Sequence, residues 1–284
     1  MFGISTALLT PFEENGAIDL ARLGAHARTL MTEGADGVTL YGTTGEGASI
    51  AMDEREAGID ALLSADIPAS KIVLGVCATS LGDAARQVAQ GRDRGVSDFL
   101  LLPPFYFKGN SDDGLFAWHS ELFARTDAGA RFILYHIPQV SGVGLSAGLV
   151  GRLVGSAGKR IRAIKDSSGS WDTARSFLDL GSLTVLVGDE RLLHRAMALG
   201  AGGAITGMAN LYPARMKRIV ETATEDTALS EEVTRVVSVP VVAALKTLIS
   251  ERSGDKGWNR LRPPLAPLDA AARATLLPAD VSAA

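Results

Sequence analysis

The chain is poor in cysteine: Cys77 is the only one among 284 residues. No internal disulfide can form, which excludes a small disulfide-stapled secreted scaffold. Cys77 closes the apolar run Lys71-Ile72-Val73-Leu74-Gly75-Val76-Cys77 and reads as a buried, inert thiol. No apolar run is long enough for a transmembrane helix. The N-terminus, Met1-Phe2-Gly3-Ile4-Ser5-Thr6-Ala7, lacks the basic and apolar regions of a secretory signal. An excess of base is missing too. Lys plus Arg is 28 against 32 Asp plus Glu, a net charge of −4, so neither nucleic acid nor an anionic membrane is an expected partner. The four histidines, His26, His119, His136 and His194, show no metal-ligand spacing. The expectation is a cytoplasmic protein.

With 46% hydrophobic and 21% charged residues, the chain can bury a large core. Short apolar runs alternate with helical stretches. The predicted strands are Ile4–Phe12, Gly37–Gly42, Lys71–Cys77, Phe99–Pro104, Phe132–Pro138, Ile161–Ser167, Leu183–Gly188 and Gly203–Thr206. Most are apolar on both faces, as parallel strands under helices are. Helices are predicted over Asp19–Glu33, Asp53–Ala65, Leu81–Arg94, Ser111–Ala124, Ser146–Val154, Trp171–Leu180, Glu190–Leu199 and Pro213–Thr224. Asp53 serves as an N-cap with Glu56 three residues on, and Pro213 suits a first helical position. Eight βα units predict an α/β fold, a (β/α)₈ TIM barrel over residues 1–225. Residues 226–284 form a C-terminal helical extension, with Pro240 starting or kinking a helix and Arg262–Pro267 an extended linker. A doubly wound sheet would carry a Gly-rich fingerprint after its first strand. Leu9-Thr10-Pro11-Phe12-Glu13-Glu14-Asn15-Gly16 is no such loop.

Barrel active sites lie at the carboxyl ends of the strands. The sixth strand ends in a lysine, Ile161-Arg162-Ala163-Ile164-Lys165-Asp166. Strand alternation points Ile161, Ala163 and Lys165 to one face, the interior. A buried ammonium is costly, so such a lysine is either paired with a carboxylate or held uncharged, and an uncharged amine attacks carbonyl carbon. Other strand ends supply company. Gly42-Thr43-Thr44-Gly45 is either an ordinary turn or a cradle of N–H groups and hydroxyls for a carboxylate. Tyr135 is a core aromatic or a proton carrier beside the lysine. His136, on the opposite face, is expected to pack under helices. Asp189 and Glu190 cap the next helix or hold substrate hydroxyls. An amine, a phenol and a carboxylate cradle together suit one reaction class. Lys165 forms a protonated Schiff base with a 2-keto acid, Tyr135 shuttles protons, Thr43 and Thr44 hold the carboxylate, and Thr44 extends a relay to the tyrosine. The iminium is the electron sink, so no metal or other cofactor is expected.

These segments resemble the pyruvate-dependent class I lyases that include dihydrodipicolinate synthase and N-acetylneuraminate lyase. The similarity runs through Thr10-Pro11-Phe12, Gly42-Thr43-Thr44-Gly45-Glu46, Asp53-Glu54-Arg55, Tyr135-His136-Ile137-Pro138, Lys165-Asp166-Ser167-Ser168-Gly169, Gly188-Asp189 and Arg262-Pro263-Pro264-Leu265. The resemblance implies Lys165 as Schiff-base lysine, Tyr135 as proton-transfer tyrosine, Thr43 and Thr44 as the carboxylate pair, and the Ile205 backbone and strand-seven end, Gly188 and Asp189, as further substrate contacts. It implies that Tyr106 reaches into a neighbour's site, with pyruvate and an aldehyde as substrates and a homotetramer, a dimer of dimers, as the assembly. Three departures bear on substrate. His136 stands where the family usually has Asn, and Val140 replaces the arginine that binds the second substrate's carboxylate in the synthase. The strand-seven end, Gly188-Asp189-Glu190, lacks the longer pattern of the sialic-acid lyase. The expected activity is lyase or aldolase action on pyruvate or a 2-keto-3-deoxy sugar acid. Synthase and keto-deoxy sugar acid dehydratase activities are alternatives within the class, and a non-catalytic ligand-binding barrel is the alternative outside it.

Overall fold

The computed structural model describes residues 2–277. Eight parallel strands close a barrel in sequential order: β1 (Gly3–Ala7), β2 (Gly37–Leu40), β3 (Ile72–Val76), β4 (Asp98–Leu101), β5 (Arg131–His136), β6 (Ile161–Asp166), β7 (Thr184–Val187) and β8 (Gly203–Thr206). The helices are α1 (Leu20–Thr32), α2 (Met52–Ser64), α3 (Leu81–Arg92), α4 (Asp112–Arg125), α5 (Pro138–Ser141), α6 (Ala147–Ala157), α7 (Trp171–Leu178), α8 (Glu190–Ala198), α9 (Pro213–Thr222), α10 (Thr227–Val237), α11 (Val241–Ser253) and α12 (Ala270–Leu276). The protein is a (β/α)₈ TIM barrel with C-terminal helices. The last seven residues assigned to the extension lie outside the described residues.

Both faces of each strand are buried because the lumen and the helical ring each need apolar cover. Ala7, Val73, Leu100, Ile133, Tyr135, Ile137, Ala163, Leu186 and Ile205 fill the lumen. Two larger cores lie between sheet and helices, one under the helices of the first half and one joining β8 to α8–α11. Most predicted strands run past the observed carboxyl ends. The predicted first strand reached Phe12, but the ladder stops at Ala7 and Phe12 pairs only in an isolated bridge with Ile18. The overrun segments are apolar because they are buried at the barrel mouth, which single-sequence periodicity cannot separate from strand.

Other expectations need correction. Helix α2 starts at Met52 with Ala51 as N-cap, so Asp53 is a first-turn residue. The cap comes from the Glu54 carboxylate, which accepts the Ala51 N–H at 3.0 Å. Asp53 instead suits the positive end of the helix dipole. Pro213 does open α9, and Pro240 precedes α11, starting that helix rather than kinking it. Ile161 does not share a face with Ala163 and Lys165. The register slips between Phe132 and Ile133 against β6. This bulge sends Ile161 into the outer core while Ala163 stays in the lumen, the re-aiming that an extra residue in one strand produces. Cys77 is half-buried rather than fully buried, and burial pushes its thiol up to about 11, which keeps it protonated at neutral pH. Arg262–Pro267 contains a turn at Pro263-Pro264, and Arg262 is an anchor rather than a linker residue.

Candidate active site

Sheet register alone brings two of the expected residues together. Tyr135 on β5 is the ladder partner of Lys165 on β6, so both side chains enter the lumen at one level. The Lys165 Nζ donates to Tyr135 Oη at 3.3 Å and lies 4.4 Å from the ring centroid. Lys165 is only 5% exposed. Among the described residues it forms no ion pair, and Tyr135 is its one side-chain hydrogen-bond partner. A structural lysine at this depth would be matched by a carboxylate, and none is within reach.

The phenol is tied on its other side to the loop after β2. Thr43 Oγ1 lies 3.3 Å from Tyr135 Oη. The threonine hydroxyl within hydrogen-bond reach of the phenol is that of Thr43, where the relay was expected through Thr44. Thr44 turns toward Gly207 across the mouth. Backbone constraints hold this loop: Tyr41 and Glu46 adopt φ of 59° and 54°. A Cβ on Gly47 would sit 1.9 Å from the Tyr41 carbonyl oxygen, so only glycine fits there. Thr10 Oγ1 donates to the Gly45 carbonyl at 2.7 Å.

A second set of bonds reaches this loop from the far end of the chain. Lys246 on α11 is paired with Glu46, and both side chains are completely inaccessible. Lys246 Nζ also donates to the Arg260 carbonyl at 2.6 Å, and the Arg262 N–H donates to Glu46 Oε2 at 3.0 Å. The Arg262 guanidinium in turn holds Glu54 and donates to the Ser49 carbonyl at 3.0 Å. Burial holds the Lys246 ammonium below the usual lysine range against the opposing pull of Glu46. The Arg262 guanidinium keeps the Glu54 carboxyl below its ordinary value. No local pattern pairs residues two hundred apart, so the sequence reading missed Lys246 and found Arg262 in a linker and a family-like segment without its partners.

A cavity of about 340 Å³ opens above Lys165. Thr43, Thr44, Tyr135, Gly188, Asp189 and Ile205 all line it, as expected, together with Gln139, Ser167, Ser168, Glu190 and Arg191. Its size is at the small end for ligand sites. An adjoining apolar cavity of about 240 Å³ shares Thr43, Tyr135, Val140 and Val242 with it. Asp189 caps α8, accepting the Arg191 N–H at 3.1 Å, and holds the Arg191 guanidinium at 2.7 and 2.9 Å. Glu190 accepts the Met208 N–H at 3.0 Å, and burial pushes its carboxyl up. His136 points outward, accepting the Leu145 N–H at 3.0 Å and meeting the Phe177 ring edge-on. Tyr106 is not among the lining residues. It is 74% exposed and meets the equally exposed Phe107 edge-on at 5.3 Å. Among the described residues, no group of three or more His, Cys, Asp or Glu side chains is placed to hold a metal ion, and no helix is long and apolar enough to cross a membrane.

A lumen amine linked to a phenol and a threonine, below a small half-polar cavity, can form a carbinolamine with a ketone and pass protons to it. Comparison with known proteins agrees with this chemistry. The model of the dihydrodipicolinate synthetase family matches residues 1–283. The crystal structure of dihydrodipicolinate synthase from Agrobacterium tumefaciens superposes with a TM-score of 0.94 at 40% identity, covering 97% of each chain. A DapA-like lyase of Chloroflexus aurantiacus, itself uncharacterized, is 36% identical over 74% of this chain and 71% of its own. A 4-hydroxy-tetrahydrodipicolinate synthase of Synechococcus is 30% identical over 95% of this chain and 91% of its own.

Proposed function

The chain belongs to the dihydrodipicolinate synthetase family and is a carbon–carbon lyase of the class I aldolase kind; from that premise we propose that Lys165 forms a Schiff base with pyruvate and that the enzyme makes or breaks the bond between pyruvate C3 and an aldehyde carbon. The observation that carries this reading is the buried Lys165 amine, in no ion pair among the described residues, with the Tyr135 hydroxyl at 3.3 Å.

The uncharged amine attacks the C2 ketone. The C2–O bond then breaks, and the oxygen leaves as water with protons delivered through Tyr135. The resulting iminium draws electrons from C3. In the synthetic direction C3 loses a proton, and the enamine attacks the aldehyde carbon, whose oxygen is protonated. In the cleavage direction the C3–C4 bond gives its electrons to the iminium as the C4 hydroxyl loses its proton to become the aldehyde, and the resulting enamine takes up a proton at C3 to restore the iminium. Water finally attacks C2 and frees Lys165. Thr43 fixes the phenol, while Thr44 and the loop N–H groups hold the carboxylate. Gly188, Asp189 and Ile205 bound the far side of the bound keto acid. A 2-keto-3-deoxy sugar acid is one class of substrate this sequence of steps would cleave.

Relatives named as synthases favour a second reading, condensation with aspartate semialdehyde. Val140 opposes it. This residue is 59% exposed at the cavity rim, where the resemblance would require an arginine. The nearby Arg191 is committed to Asp189 on two nitrogens. The exposed Tyr106–Phe107 tip suits burial against a second copy of the chain, supporting a homotetramer in which Tyr106 enters a neighbour's site. A cytoplasmic location fits these substrates.

Borohydride added with pyruvate tests the central step. One pyruvate-derived mass is expected on the peptide containing Lys165, and Lys165→Ala abolishes it. Labelling that survives in Lys165→Ala would remove the Schiff-base role from this residue.

A further inference from the structure

The cavity above Lys165 has two unlike walls. The strand ends and the loops after them supply its polar lining, with Ile137 and Ile205 among them. The facing wall comes from α10 and α11 and consists of Val233, Val236, Val237, Val241, Val242 and Leu245. These six side chains bring no hydrogen-bonding atom. Val233, Val236 and Leu245 are buried, whereas Val237 and Val241 are 45% and 40% exposed at the mouth, beside the exposed Val140.

The polar wall has less to offer than its composition suggests. Asp189 is filled by Arg191 and by a backbone N–H. Gln139 Nε2 donates to the Ser167 carbonyl at 2.6 Å. Glu190 accepts the Met208 N–H, and Ser168 Oγ accepts the Ser170 N–H at 3.2 Å. Thr43, Thr44, Tyr135 and Lys165 are all needed for the keto-acid end. A chain of hydroxyls running outward from C4 would exchange water for valine on one side and, on the other, would meet mostly committed groups, the Ser167 hydroxyl being the one lining side chain there, outside the keto-acid end, with no hydrogen bond among the described residues. Leaving a polar group unpaired in that way is costly, whereas covering Val237, Val241 and Val242 with methylene groups is favourable.

Resting on the Schiff-base reading above, but against a sugar acid as the molecule cleaved, we infer that the aldehyde this enzyme condenses with pyruvate, or releases, carries an aliphatic chain rather than a run of hydroxyls or a second carboxylate. The small cavity limits that chain to a few carbons, and the valine wall of α10 and α11 selects it.

The test is a panel of aldehydes supplied with pyruvate to the full chain: propanal and butanal, their hydroxylated counterparts glyceraldehyde and erythrose, and aspartate semialdehyde. We expect kcat/KM for the aliphatic members to exceed the hydroxylated ones by about 10²-fold, the discrimination an apolar pocket exerts against added hydroxyls. Val242→Thr, nearly the same shape with one hydroxyl added, should cut that ratio by about tenfold or more while leaving pyruvate trapping on Lys165 unchanged. Equal or better use of glyceraldehyde, erythrose or aspartate semialdehyde overturns the inference. So does an unchanged ratio in Val242→Thr, as expected if a second copy of the chain covers the valines. Borohydride trapping on the same preparation separates the two levels. Normal Lys165 labelling without aliphatic preference rejects the inference alone, and absent labelling rejects the Schiff-base reading with it.

Discussion

At the amino ends of the strands, Asp98 is 3% exposed and is held from two sides. Arg131 reaches it through Nε at 2.9 Å and Nη2 at 3.0 Å, and Arg162 closes the other side while stacking on Phe2. At the carboxyl ends, Lys165 is as deeply placed at 5% and has no charged partner among the described residues. Both are ionisable side chains at strand ends in one lumen. At the bottom the charges neutralise one another and close the barrel. At the top the amine is left open toward a cavity, with a phenol and a threonine for company. A buried polar group without a matched partner costs stability, so its persistence marks the end of the barrel where chemistry rather than closure sets the residues. The Glu46–Lys246 pair shows that the top can neutralise charge as well. It does so one layer out, where the pair fastens the Thr43–Thr44 loop to α11.

This contrast gives measurable expectations. The largest concerns the fastening. Lys246→Met leaves Glu46 buried without its cation, a change that costs about 3–5 kcal/mol in comparable pairs. Chemical denaturation should show that loss. A loss under about 1 kcal/mol would mean that water or Arg262 takes over the pairing. Next is the proton carrier: Tyr135→Phe should lower kcat by about 10²-fold or more while borohydride still traps pyruvate on Lys165. Full activity in that variant would end the shuttle role. The bottom of the barrel should behave oppositely. Asp98→Asn should lower stability by about 1–3 kcal/mol, since hydrogen bonds to charged groups are lost, with steady-state turnover unaltered. A large fall in kcat there would erase the distinction between the two ends.

The smallest effect is in the pH dependence. The Glu54 carboxyl sits below its ordinary value of 4.5 because Arg262 holds its ionised form. A depressed carboxyl adds stability above its unfolded pKa and loses it as pH falls through the lower folded value. Glu54→Gln should therefore flatten the acid limb of a melting-temperature profile, by under about 1 kcal/mol at neutral pH for a partly exposed pair. An acid limb identical to that of the parent would remove Glu54 from the account.

Much of this was legible in the chain because it depends on local repetition. Alternating apolar runs and amphipathic helices announced eight βα units, and the carboxyl-end rule turned strand ends into site candidates. Lys165, Tyr135, Thr43, Thr44, Gly188, Asp189 and Ile205 duly line one cavity. Errors arose where a neighbour far along the chain decides. The bulge that turns Ile161 outward is a property of β5 and β6 together. Exchanging the threonine roles required the distance from Thr43 to Tyr135. Asp53 lost its capping place to the Glu54 carboxylate. Tyr106 is exposed in a single chain, and its expected place in a neighbour's site is a matter for the assembly rather than for one barrel.

The order of residues by itself determined the barrel and the inward phase of Tyr135 and Lys165, because periodicity and composition act over a few residues at a time. Tertiary structure decided which hydroxyl meets the phenol, that Lys246 closes on Glu46 from two hundred residues away, and that valines of α10 and α11 line the cavity above Lys165. Those outcomes depend on which surfaces meet when the ring closes, and no short stretch of chain holds that information.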